Sequence, residues 1–341
     1  MQRSEDAPAV SRRSAPYVSV VLTGRNDGYG GDFTERFFRT LRFNLQQFRS
    51  HGITHELVFV EWDPPHGRPL LVESIFDEVP ELEPACCSWY VVDPTYREAL
   101  SLNPRLEYLE FPAKNVGIRR ARGEFILTSN CDVFLGRRVI DVLRRRALEP
   151  RTLYRAPRHD IDLPAPCPSI DWTVLEDPDV LAGPAHQLKP PFMGSATGDF
   201  VLLDRASFHD LRGFNEVYRV ARIGIDRNVL VKALSLGFRI ADIGGPVYHV
   251  NHEGSYRLNP GAYAGREHEA PWGDRRWYAS GVSYTNHDTW GLSSAPVREH
   301  DRYRYLDFDW TAIPPMVNLR GVVLPTARCG LPTPGLYVRK K

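Results

Sequence analysis

KNVGIRRARGEFILTSNCDVF, residues 114–134, holds a helix, a buried strand and a lone acidic residue in that order. Phe125, Ile126 and Leu127 form an apolar run of the kind required by a strand covered on both faces. The run gives way to Asn130, Cys131 and Asp132, so a carboxylate stands at the strand's carboxyl end. Upstream, KNVGIRRARGEF reads as a short helix with Ile118 and Ala121 facing inward, ended by Gly123. Helix followed by buried strand is the repeating step of a parallel α/β sheet.

The preceding chain has the same rhythm. YVSVVLTGRND supplies a buried strand, Tyr17 to Thr23, that runs into a polar turn at 24–27. GYGGD at 28–32 leads into a helix whose Phe33, Phe37, Phe38, Leu41, Leu45 and Phe48 recur at helical spacing. HELVFVEWDPP reads as a second strand, Leu57 to Glu61, stopped by Pro64 and Pro65. Ligands of such sheets sit beyond the carboxyl ends of the strands, so Arg25-Asn26-Asp27, Glu61-Trp62-Asp63 and Asp132 should face one crevice.

Further along, 157–192 is rich in proline with little periodicity, which reads as a long functional loop or an insertion. GDFVLLDRASFHDLRGFNE reads as a strand turning into a short helix that ends at Gly213. DRNVLVKALSLGFRI pairs a helix, about 227–236, with a strand from Phe238. Residues 1–15 read as a mobile arm, 16–253 as the α/β domain, and 254–341 as an irregular extension packed on it.

The bulk numbers exclude several classes. At 341 residues, 42% hydrophobic and 25% charged, the chain has the composition of a globular protein and not of a disordered one. A net charge of +1 makes no case for nucleic acid or a membrane surface, so any anionic ligand needs a local site. No stretch approaches the roughly 20 apolar residues of a membrane span, and MQRSEDAPAVSRRSAP lacks a signal peptide's apolar core. The five cysteines include no CxxC pair, which fits free thiols in a reducing compartment. The expected location is cytoplasmic.

Three groups carry candidate chemistry. Asp132 ends a buried strand, Asp226 lies in RIGIDRN before a helix, and VYHVNHEGS puts His249 and His252 after another strand. A carboxylate with one or two imidazoles suits Mn²⁺ or Mg²⁺, and the lack of clustered thiolates argues against structural zinc. On a continuing strand the two histidines would point to opposite faces, so only one would reach a metal unless the segment turns. Each group also has a plainer reading: a turn or cap for Asp132, an N-cap for Asp226, and loop hydrogen bonding for the histidines. Cys131 reads as a small buried hydrophobe. GYGGD matches neither GxGxxG nor GxxxxGK[ST], so neither a dinucleotide fold nor a P-loop is supported.

In sequence order these pieces resemble the nucleotide-sugar-binding half of family 2 glycosyltransferases, which have the GT-A fold. The matching stretches are VSVVLTGRND, ELVFVEWDP, KNVGIRRARGEFILTSNCDVF, GDFVLLDRASFHDLRGFNE and GIDRNVLVKALSLGFRI, spanning about two thirds of the chain. KNVGIRRARGEFI is the most specific of them. The resemblance implies a mixed, mostly parallel central sheet flanked by helices, with a nucleotide-sugar half at about 16–135 and an acceptor half at about 190–253.

Carried over by residue, it implies that Asp132 is the last carboxylate of the Asp-x-Asp motif, holding a metal on the donor diphosphate. His249 or His252 completes that metal site. Glu61 lies near nucleobase and ribose, and Asn26 and Asp27 line the base pocket. Thr23, Arg25, Lys114, Asn115, Asn130 and Cys131 belong to the same donor-binding set. Asp226 falls at the general base, shortly after a turn matched by Gly213-Phe214-Asn215-Glu216.

Two departures stand out: Asn130 replaces the first Asp of Asp-x-Asp, and Ile225 replaces the acidic residue before the base. The function implied is a metal-dependent transferase moving a sugar from a nucleoside-diphosphate sugar, by default a UDP-sugar, to an unidentified hydroxyl acceptor with inversion. The alternative is a non-catalytic GT-A-like module that binds nucleotide sugar or glycan, for which Asn130 and Ile225 speak. The aromatics after residue 254 either build an acceptor site or wrap the core.

Overall fold

The computed structural model describes residues 15–314 except 102, 104, 105, 107, 164–168, 191, 192, 217, 218, 220–223, 254 and 256–285, with two short strands beyond. The first half alternates strand and helix: β1 (Val18–Gly24), α1 (Phe33–Ser50), β2 (His55–Trp62), α2 (Leu71–Glu78), β3 (Cys87–Val92), α3 (Thr95–Leu100), α4 (Glu110–Arg120) and β4 (Phe125–Ser129). Then come β5 (Val133–Leu135), α5 (Arg137–Arg144), β6 (Thr152–Arg155), β7 (Arg158–Ile161), α6 (Trp172–Leu175), β8 (Phe200–Asp204) and α7 (Arg205–Leu211). The described chain continues with α8 (Ile225–Ser235), β9 (Arg239–Asp242), β10 (Val247–Val250), β11 (Val297–Glu299), β12 (Arg304–Leu306), β13 (Met316–Val317) and β14 (Val323–Leu324).

Nine of these strands form one sheet in the order β11-β12-β3-β2-β1-β4-β8-β6-β9. From β12 to β4 every pairing is parallel, while β8 runs antiparallel to both of its neighbours. The helices cover both faces, as a sheet of buried strands demands. On one side α1 buries Phe37, Phe38, Leu41, Leu45 and Phe48 in a cluster with Val18, Leu22, Leu57 and Phe59. On the other, α4 packs Ala113, Val116 and Ile118 against Val21, Val58 and Val60. Gly117 lets α4 come this close, because a Cβ there would lie 2.5 Å from Val21 Cγ1. Each fully buried aliphatic or aromatic side chain contributes about 1.5–3 kcal/mol, so the two layers fix where the strands end.

A second sheet, β5-β10-β7, lies where β4 gives out and positions the candidate site. β10 runs antiparallel to β5 and parallel to β7. The proline-rich stretch thus holds a strand, β7, and not only loop.

One further expectation is corrected. Gly123 does not cap the helix, since Ala121 ends it in extended conformation. A Cβ on Gly123 would lie 2.6 Å from the Ser19 nitrogen, so this glycine admits β1 alongside the chain entering β4. Among the described residues after 254, β12 pairs with β3 and β11 extends the sheet's edge. Trp290, Leu292, Leu306 and Ile313 join the core, so aromatic residues near 290 wrap it. Arg120 Nη1 donates to Gly291 O at 2.7 Å and Arg119 lies over the Trp290 ring. These arginines hold the segment to α4.

Among the described residues no helix is long and apolar enough to cross a membrane. Cys86, Cys87 and Cys131 are free thiols.

Candidate active site

Asp132 lies in the three-residue link 130–132 between β4 and β5. Antiparallel pairing sets His249 of β10 opposite Val133, and Val250 N donates to Asp132 O at 3.0 Å. The register alone therefore brings the His249 ring to Asp132, with Nε2 3.6 Å from Oδ2. β10 stops at Val250, and a turn follows in which His252 N donates to Ser255 Oγ and Ser255 N to His252 O. That turn ends the strand's alternation, so His252 faces the same way and its Nε2 lies 3.4 Å from Asp132 Oδ2. The expectation that only one histidine reaches Asp132 thus meets its stated exception.

One ligand atom from each of Asp132, His249 and His252 lies within 4.8 Å of the others. One carboxylate and two neutral imidazoles form a mixed oxygen and nitrogen set that fits a divalent first-row cation such as Mn²⁺. Burial pushes the Asp132 carboxyl up, but His249, His252 and Arg36 outweigh it and hold the group well below the usual carboxylate range. Burial opposes charge on His249, yet Asp132 and Asp160 win and raise its pKa.

The glycine-rich GYGGD loop lies against this cluster. Arg36 reaches back from α1 to donate to Tyr29 O and Gly30 O. Gly30 has φ +68°, and a Cβ on it would lie 2.5 Å from His252 Nδ1. Only glycine fits there on both counts. Tyr29 packs edge-on against the His252 ring.

Behind the cluster runs a chain of buried polar contacts. Asp160 of β7 stands beside His249 in the parallel register, and its Oδ1 lies 3.1 Å from His249 Nδ1. Arg158 Nη2 binds the same carboxylate, and its Nη1 binds Asp199 Oδ2 at 2.7 Å. Asn130 Nδ2 donates to Asp199 Oδ1, and Lys114 Nζ donates to Asn130 Oδ1, Glu110 Oε1 and Gly198 O. Gly198 N in turn donates to Asp226 Oδ2 at 3.1 Å.

Glu110, Asn130, Asp132, Arg158, Asp199, His249 and His252 line a cavity of about 250 Å³ at the carboxyl ends of β1 and β4. Of the residues expected at the site, Thr23, Arg25, Asp27, Asn130, Cys131, Asp132, His249 and His252 line it. Arg25 is held between Asp27 and Asp63, and the Thr23 and Tyr108 hydroxyls lie 2.5 Å apart. Cys131 is buried, and burial pushes its thiol well up, as suits a small hydrophobe.

Four of the expected donor-binding residues lie elsewhere. The Glu61 carboxylate is fully buried, accepting from Leu71 N at the start of α2 and from Trp89 Nε1. It caps a helix and does not face the cavity, and burial pushes its pKa up to about 7. Asn26 donates to Pro69 O on the exposed side of its turn. Asn115 is buried and engaged with Phe214 and Glu216, latching the turn at Gly213. Lys114 is buried just behind the lining and reaches it through Asn130 and Glu110.

Asp226 lies in the first turn of α8, with Gly224 and not Asp226 at the cap. It is not among the lining residues, and burial pushes its carboxyl up. Ile225 beside it is a core residue. Tyr29, Tyr108, Glu110, Arg158 and Asp199 line the cavity without having been expected there. An Arg-His-Asp run amid prolines was the available signal for β7; Asp199 had none beyond preceding a strand.

No family model matches the chain, and no curated protein matches it. Several solved structures are similar to it. One is GalNAc-T7 with UDP, GalNAc and Mn²⁺, at 14% identity, covering 79% of this chain and 50% of that one, with a TM-score of 0.45. Another is S. aureus TarS 1–349 with UDP, at 12% identity, 78% and 69% coverage, and a TM-score of 0.41. A third is the catalytic domain of Drosophila β1,4-galactosyltransferase 7 with xylobiose, at 12% identity, 86% and 95% coverage, and a TM-score of 0.41. The chain spans half the length of the GalNAc-T7 chain. In this chain the sheet is mostly parallel, with antiparallel β8 beside β4 and Asp132 just beyond β4.

Proposed function

We propose that this protein is a metal-dependent glycosyltransferase, taking a sugar from a nucleoside-diphosphate sugar, by default a UDP-sugar, to an acceptor hydroxyl. The observation that carries the reading is the convergence of Asp132, His249 and His252 in one cavity with Thr23, Arg25 and Asp27 at the sheet's carboxyl edge. Ligands of an open α/β sheet sit beyond the carboxyl ends of its strands.

Asp132, His249 and His252 would hold a divalent cation, and such an ion would supply positive charge for a diphosphate leaving group. Thr23, Arg25, Asp27 and Tyr108 are the groups available to the nucleoside. Asp226 is the proposed general base, taking the acceptor hydroxyl's proton as it attacks with inversion at the anomeric carbon. Its burial keeps the carboxyl more basic than an exposed one, which favours that task. Asp199 offers the second cavity carboxylate that Asn130 does not.

The test is slow hydrolysis of a UDP-sugar by purified protein with Mn²⁺. Turnover lost on chelation and absent in Asp132→Ala supports the reading. Nucleotide-sugar binding without turnover, across a donor and acceptor panel, favours a binding module instead.

A further inference from the structure

His249 presents two ring nitrogens to two carboxylates on opposite sides. Its Nε2 faces Asp132 at 3.6 Å, and its Nδ1 faces Asp160 Oδ1 at 3.1 Å. Asp160 is fully buried, lines no part of the cavity, and is itself held: Arg158 Nη2 lies 2.8 Å from Oδ1, and His186 Nε2 lies 2.9 Å from Oδ2. A carboxylate so placed accepts only from the Nδ1–H tautomer, which leaves the Nε2 lone pair toward Asp132. Two adjacent parallel strands, β7 and β10, fix the pair in register.

We infer that Asp160 is a positioning residue that sets the tautomer and ring orientation of His249, with Arg158 and His186 holding the Asp160 carboxylate in turn. This rests on the metal reading above and deepens it. Supporting carboxylates of this kind alter metal affinity by about 10–100-fold when removed. Because β7 also carries Arg158, which binds Asp199 across the cavity, one strand supports both the imidazole and the second carboxylate.

The test titrates Mn²⁺ into the metal-free full-length chain, reading free Mn²⁺ by electron paramagnetic resonance, for wild type, Asp160→Asn and Asp160→Ala. Affinity about 10–100-fold weaker in both variants, with unchanged circular dichroism, supports the inference. Equal affinity in wild type and variants overturns the positioning role and leaves the metal reading standing. Absence of Mn²⁺ binding by wild type overturns both. A second readout needs no variant to fold: ¹⁵N spectra of the His249 ring in metal-free wild type, above its titration range, should show Nδ1 protonated. An Nε2–H tautomer overturns the inference.

Discussion

Asn130 stands between Lys114 and Asp199, accepting from the first at 2.8 Å and donating to the second at 2.7 Å. The residue that departs from the Asp-x-Asp pattern is thus the one that neutralises contact with a neighbouring buried carboxylate.

Asn130→Asp, which would recreate the two-carboxylate motif, is expected to destabilise the metal-free protein. It sets two carboxylates within hydrogen-bond distance in place of a donor and an acceptor, costing about 1–3 kcal/mol. Urea unfolding of both proteins checks this; equal stability would mean that the contact with Asp199 does not matter.

Gly30→Ala tests the glycine-rich loop. The left-handed backbone costs about 1–2 kcal/mol for a residue with a Cβ, and here the methyl also meets His252. Gly52, with φ +64° and nothing within 4 Å of a Cβ, is the control. Gly52→Ala should lose stability alone, whereas Gly30→Ala should also weaken Mn²⁺ binding. Both are read by thermal unfolding and metal titration.

Glu61 predicts a pH dependence. Its folded pKa is raised by burial from 4.5 to about 7, so stability from the protonated group is complete below about 4.5 and is lost as pH rises through 7. Relative to Glu61→Gln, the wild type should lose about 1–3 kcal/mol between pH 4.5 and 7.5, at 1.36 kcal/mol per pKa unit. Denaturant titrations of the pair across that range decide it; a flat difference means Glu61 does not titrate there.

Asp226→Asn should keep donor affinity, measured by calorimetry, while lowering transfer by about 10²–10⁴-fold. An unchanged transfer rate would remove Asp226 from the base role.

The strands and helices whose apolar periodicity spans several residues were legible in the sequence: β1, α1, β2, β4, α7 and α8 lie where their patterns put them. Asp132 at the end of β4 followed from the same run. What stayed hidden depends on contacts far apart in the chain. Asp160 meets His249 only because β7 pairs with a strand 89 residues later, and a four-residue strand between prolines has too few positions for a period to appear. The donor-binding roles of Glu61 and Asn115 came from the resemblance, and both side chains lie buried with partners of their own, away from the cavity lining. Strands β11 and β12 are three residues each, with β11 wholly exposed, so neither carries an apolar signature. The turn after Val250 that swings His252 toward Asp132 is set by Ser255 and the Gly30 loop.

The most direct measurement is anomalous diffraction at the manganese edge from crystals grown with Mn²⁺ and UDP. One strong peak within bonding distance of Asp132, His249 Nε2 and His252 Nε2 is the predicted result. A saturated crystal with manganese elsewhere, or with those three side chains paired only to one another, would contradict the account.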